Sequence, residues 1–143
     1  MKVEIIIPGS CTPKARPRTT TILRTNAEGQ LTRRTWGYTP KRSRDYATVA
    51  RLVAQSACAE ANFNPVPYPK PVRMEILFVL GRRATGTPDI SNLIMQIFDV
   101  LADGICYDND SQVVEVRARK KKGKWPLTHI IVEGVQEAPT PTE

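Results

Sequence analysis

Histidine is almost missing from this 143-residue chain, which carries a single one, His129. That leaves no second imidazole for a His-based relay, and with no Ser-centred elbow a hydrolase triad has little support. Cysteine is scarce as well. Cys11, Cys58 and Cys106 are odd in number and widely spaced, so they make neither a disulfide framework nor a zinc pattern, and a reducing compartment, the cytoplasm, is expected. No apolar run approaches membrane-spanning length, and the apolar part of the N-terminal MKVEIIIPGS is too short for a signal peptide, so no membrane partner is expected. Gly81 to Gly86 is not a phosphate loop and nothing resembles a dinucleotide fingerprint, which excludes the common small-molecule cofactors.

The most informative absence is local. From Ala84 to Val116 there is no Lys, Arg or His, while Asp89, Asp99, Asp103, Asp108, Asp110 and Glu115 all fall there. The net charge of +7 is therefore +13 outside this stretch and −6 within it. A basic chain of this kind favours an anionic partner, most economically nucleic acid. A carboxylate island inside it is suited to holding a divalent cation against a polyanion; the plainer alternative is an acidic helix face that stays in water.

The length and the 41% hydrophobic content point to one globular domain, 1–134, with a disordered tail at 135–143. Val3, Ile5 and Ile7 alternate as a short strand stopped by Pro8-Gly9. A basic, Thr-rich region follows, with Thr20–Leu23 and Thr35–Tyr38 as the arms of an irregular hairpin around Asn26 to Gly29. Thr39-Pro40 caps a first helix running from Pro40 to about Glu60, whose stripe is Tyr46, Val49, Ala50, Val53 and Ala57. Four prolines in residues 62–71 forbid regular structure. Val72 to Leu80 reads as a central strand. Ile90, Leu93, Ile94, Ile97, Phe98 and Leu101 form the apolar stripe of a second helix, Asp89 to about Ala102, with Asp89, Asn92, Gln96, Asp99 and Asp103 opposite. Val113 to Ala118 and Leu127 to Glu133 are the last strands, joined by a basic turn at Lys120 to Lys124. The fold class is α+β: a mixed sheet of about four or five strands with two principal helices packed on it.

Asp89 opens its helix, so its simplest role is an N-cap. Asp108-Asn109-Asp110 lies just before a strand, and a carboxylate from each place could meet at one metal. A hard cation such as Mg²⁺ takes oxygen ligands and activates water beside a phosphodiester, which is why carboxylates rather than imidazoles would serve. His129, inside the last strand, reads as a satisfied strand residue. Trp36 and Trp125 sit beside basic residues and could stack on bases, although completing a core edge is the favoured reading.

Thr87-Pro88-Asp89-Ile90-Ser91-Asn92-Leu93, then Asp99, then YDNDSQVV from Tyr107 to Val114, resembles the RusA family of Holliday-junction resolvases. Ile5-Ile6-Ile7-Pro8-Gly9, Pro13-Lys14-Ala15-Arg16-Pro17-Arg18 and Tyr38-Thr39-Pro40-Lys41 are similar to further pieces of its longer members. The resemblance implies a homodimeric, Mg²⁺-dependent endonuclease that resolves branched DNA at four-way junctions. Asp89 and Asp110 would hold the metal, with Asp108 as an auxiliary catalytic carboxylate. Ser91, Asn92 and Asp99 would brace the site, and Lys14, Arg16, Arg18, Arg82, Arg83, Lys120, Lys121 and Lys122 would contact phosphates. Two departures stand out: Ser91 replaces the second Asp of the family's D-x-D segment, and Met95 replaces its active-site Lys. Either the site is rearranged, with Asp108 or Asp99 and Arg82 or Arg83 filling the gaps, or the protein binds junctions without cutting them.

Overall fold

The computed structural model describes residues 1–14, 18–38, 41–82 and 87–136. The Thr39-Pro40 cap, Arg16, Arg83 and the tail from 137 onward lie outside the described residues.

Among the described residues, six strands and two helices make up an α+β domain: β1 (Lys2–Pro8), β2 (Arg18–Thr25), β3 (Leu31–Tyr38), α1 (Lys41–Glu60), β4 (Val72–Gly81), α2 (Ile90–Leu101), β5 (Val113–Gly123) and β6 (Leu127–Gly134). Four strands form one mixed sheet in the order β1-β6-β4-β5, and β2 pairs with β3 in a separate two-stranded sheet. β4 and β5 are parallel, whereas β6 is antiparallel to both β1 and β4. A parallel pair needs a crossover, and α2 supplies it.

The period-2 pattern of β1 buries Val3, Ile5 and Ile7 and leaves Glu4 and Ile6 exposed. Val72, Met74, Ile76, Phe78 and Leu80 of β4 and Ile130 and Val132 of β6 point the same way. α1 packs on β1, α2 on β5, and the helices meet each other over this face. Each fully buried Ile, Val, Leu or Phe contributes roughly 1.5–3 kcal/mol relative to exposure, so this one layer of aliphatic side chains dominates stability. Val79 is buried on the other face, in keeping with the central position expected of β4.

Four expectations need correction. Lys120, Lys121 and Lys122 are not in a turn; β5 continues through them and pairs with Phe78, Val79 and Leu80. An edge strand tolerates them because long Lys side chains keep their charge in water. In α1, Val49 is half exposed, and the buried line runs instead through Ser43, Ala50, Ala54 and Cys58. Small residues are selected there because two helices and a sheet approach closely. Gln96 is not on the wet face of α2. It is 3% exposed, its amide donating to the Ser43 carbonyl at 3.1 Å and accepting from the Ser43 hydroxyl at 3.4 Å. Trp125 completes no core edge: it is 76% exposed, with the Lys124 ammonium 5.5 Å from its ring centroid.

Candidate active site

α2 begins at Ile90 because Thr87-Pro88 holds extended backbone before it and Asp89 takes the N-cap, with φ −64° and ψ 134°. The Asp89 carboxylate nevertheless makes no capping hydrogen bond and is exposed. The helix is instead started by backbone bonds from the amides of Asn92 and Leu93 to the Asp89 carbonyl, at 3.1 and 3.2 Å. The side chain thus remains available beside the positive end of the α2 dipole. Lys120 reaches this end from β5, its ammonium donating to the Pro88 carbonyl at 2.9 Å. Its register opposite Phe78 puts it on the helix-bearing face of the sheet, and Lys122 opposite Leu80 shares that face. Lys121, opposite Val79, falls on the other one. The three lysines are therefore not a single patch.

The remaining aspartates of the acidic stretch gather at the far end of α2. Tyr107 lies fully buried there, its hydroxyl donating to the Phe98 carbonyl at 2.8 Å. Burial foremost, then the charges of Cys106, Asp110 and Asp99, push the Tyr107 phenol well above its ordinary range. Asp99 and Asp110 thus both act on one buried ring. Asp110 opens a short 3₁₀ turn, Asp110–Gln112, capped by Asn109, whose side chain accepts from the Ser111 amide at 2.8 Å. Gln112, 2% exposed, locks the turn. Its carbonyl oxygen accepts from the amides of Asp108 and Asn109, both at 2.9 Å, and its amide donates to the carbonyls of Val66 at 3.0 Å and Lys70 at 2.9 Å. The Asp108 carboxylate accepts from the Tyr68 amide at 3.1 Å. Asp110 is left exposed beside it.

Asp89 and Asp110 are consequently at opposite ends of a 12-residue helix, a separation on the order of 18 Å at 1.5 Å per residue. One chain does not bring them to one cation, and among the described residues no three metal-ligating side chains cluster. Asp99 is occupied: it pairs with the Lys14 ammonium, and its carbonyl accepts from Arg51 at 3.3 Å. The Lys14 amide also donates to the Asn92 carbonyl at 3.1 Å, so the segment before Ala15 lies along α2. Ser91 and Asn92 are exposed on the first turn, and Met95 is 48% exposed on the next. Arg82 is exposed at the end of β4. The side chain of Arg18 lies outside the described ones. His129 is half-buried on β6 with Glu4, Nε2 to Oε1 2.6 Å, remote from both acidic ends. Nothing in the sequence pattern marked Gln112 as the organiser of the acidic turn, because its role depends on Val66 and Lys70, more than forty positions earlier.

A family model described as endodeoxyribonuclease RusA matches residues 8–133. The chain belongs to the RusA endodeoxyribonuclease family. The match runs from the end of β1 almost to the end of β6, so the acids of α2 and of the 3₁₀ turn fall inside it. RusA proteins are nucleases that act on branched DNA, and this chain shares their α+β framework of a four-stranded mixed sheet and two helices. No curated protein matches the chain closely enough to count as a relative.

Proposed function

We propose that this RusA-family protein binds four-way DNA junctions and hydrolyses phosphodiester bonds with Mg²⁺, in a site that two copies of the chain complete. The observation that carries the reading is the uncommitted Asp89 carboxylate at the N-cap of α2, in a chain matched to the RusA model over residues 8–133. A residue serving only as a cap would spend its oxygens on the first-turn amides.

The donor set suits Mg²⁺: exposed carboxylates, with water and substrate oxygens filling the remaining positions. When bound, such an ion supplies charge neutralisation at the phosphate and a more acidic water. Asp89 and Asp110 would hold it, Asp108 keeping the turn in place through Tyr68. Lys120, fixed at the Pro88 carbonyl, would offset phosphate charge beside Asp89, where the family's usual cation is replaced by Met95. The α2 length keeps Asp89 and Asp110 of one chain apart, whereas a two-fold that sets two α2 helices antiparallel would place Asp89 of each copy beside Asp110 of the other. A junction presents two equivalent strands, which a two-fold protein matches. Exposed Met95 on the intervening turn would then be covered by the second copy.

Asp89→Asn and Asp110→Asn should each abolish cleavage of a synthetic four-way junction. The loss should exceed the ~100-fold typical of removing a supporting partner of a metal ligand. Mixing the two inactive variants after partial unfolding should restore nicking, because a mixed dimer has one intact composite site. Absence of recovery, with both variants dimeric, would overturn the shared site. A second reading, junction binding without cleavage, is favoured by Ser91 and Met95; a junction shifted in a gel but left intact in Mg²⁺ would establish it.

A further inference from the structure

β5 and β6 are consecutive in the chain but not neighbours in the sheet, because β4 lies between them. Gly123 ends β5 opposite Gly81, and Leu127 opens β6 opposite Val79 on the other side of β4. The connection from Lys124 to Pro126 therefore crosses the end of β4, a distance of two strand spacings or roughly 9.6 Å. Four residue steps reach at most ~14 Å, so the crossing is a nearly taut strap. It is pinned at both ends. The Gly9 amide donates to the Pro126 carbonyl at 3.0 Å. Gly123 lies so close on Val79 that a Cβ there would come within 2.7 Å of its Cγ1. Pro126 also disfavours helical backbone at the residue before it.

That residue is Trp125, 76% exposed, with the Lys124 ammonium 5.5 Å from its ring centroid. The chain leading to it holds six cations from Arg117 to Lys124, all exposed, and no acid. An indole face among solvated cations has the chemistry that holds a nucleic-acid strand: the ring stacks on a base while the charges follow the backbone. Its neighbours on the strap are Lys124 and half-buried Pro126, whereas the core of a protein interface is depleted of charge. Inside a closed duplex the bases stack on one another and are out of reach. A free base face is offered where strands are unpaired, end or exchange.

The strap crosses where β4 sends the chain on towards Asp89, and Lys120 of β5 bonds the Pro88 carbonyl beside that residue. Five residue steps separate Lys120 from Trp125, at most ~18 Å, or roughly five nucleotides at ~3.4 Å each. We infer that Trp125 is a stacking site for an unpaired nucleobase at the branch point, with Lys124 neutralising that nucleotide's phosphate. This rests on the junction-binding reading and adds to it a group that tells branched from closed DNA.

The test measures affinity for a four-way junction, a single-stranded oligothymidine and a long linear duplex at several salt concentrations. Trp125→Ala should weaken binding of the first two about tenfold, the loss expected for one stacked base, with the log–log salt slope unchanged because no charge is removed. The long duplex should be nearly unaffected. Lys124→Gln should instead lower the junction slope by about one. Trp125→Phe, which keeps an aromatic face, should recover more affinity than Trp125→Leu, which keeps only bulk. Sedimentation should find Trp125→Ala in the same oligomeric state as the parent. Parent-like junction binding by Trp125→Ala, an equal loss on long duplex, equal recovery by Leu and Phe, an unchanged slope in Lys124→Gln, or an altered oligomeric state would each overturn the inference. Failure of the unmodified protein to bind a junction at low salt would instead overturn the junction-binding reading itself.

Discussion

Ser91 and Met95 bear most directly on the proposed cleavage, and both lie exposed on the first two turns of α2. A serine hydroxyl is a neutral and poor Mg²⁺ ligand, and a thioether cannot place positive charge beside a phosphate. Lys120 already stands at this end of the helix, bonded to the Pro88 carbonyl. Restoring Ser91→Asp together with Met95→Lys is therefore informative. A large gain in junction cleavage, measured under single-turnover conditions, is expected if the site is depleted. No gain would mean that Lys120 and the remaining acids already do the work. Gln96, one position beyond Met95, offers a structural counterpart. Gln96→Leu would strip Ser43 of its hydroxyl acceptor and its carbonyl of a donor in the α1–α2 interface. Urea unfolding should show a loss of about 1–3 kcal/mol, the cost of leaving buried polar groups unpaired.

The acidic turn is less a pair of aspartates than a unit organised by Gln112. Its side chain meets four backbone groups, two in the turn and two in the proline-rich segment between α1 and β4. Gln112→Ala should cost about 2 kcal/mol or more, since several buried groups lose partners together. It should also lower cleavage by displacing Asp110, whereas Asn109→Ala, which loses only the local cap, should cost less in both. Amide exchange at Asp108 and Asn109 would show the turn opening. Of these features, α2 was legible in sequence: its stripe, its acidic face and its start at Asp89 all follow from 3.6-residue periodicity and the Thr-Pro-Asp punctuation. The turn was legible as D-N-D and as part of the YDNDSQVV motif, but not in how it is anchored. The partners of Gln112 are distant in the chain, and no local pattern encodes them.

At the scale of the whole molecule, the sheet, α1 and the N-terminal segment are tied through a buried polar cluster. The Tyr46 hydroxyl lies 3.1 Å from that of Thr128, and Cys11 is buried beside them. Desolvation pushes the Cys11 thiol up to about 11, against hydrogen bonding from Tyr46 and Thr128 that favours the thiolate. The folded value is thus raised above the ordinary 9.0. The stability this represents is fully present below pH 9 and is lost as pH rises through the folded value. About 2–3 kcal/mol should disappear across that window at 1.36 kcal/mol per unit. Denaturant titrations between pH 8 and about 11 should show the decline, and Cys11→Ala should flatten the part due to this thiol. Tyr46 and Tyr107, raised chiefly by burial, will keep contributing at higher pH.

Charge segregation and hydrophobic periodicity are local properties of a chain. The acidic island from Thr87 to Val114, the central strand Val72 to Leu80 and the two helices could therefore be read directly, as could the motifs that mark the RusA family. Pairing and distance are not local. Only the tertiary structure extended β5 through Lys122, because an edge strand's right to carry lysines depends on the neighbour it pairs with. Only it buried Gln96, by bringing Ser43 of the other helix against it. And only it separated Asp89 from Asp110, because the crossover between two parallel strands must run the length of the sheet and carries its two ends apart.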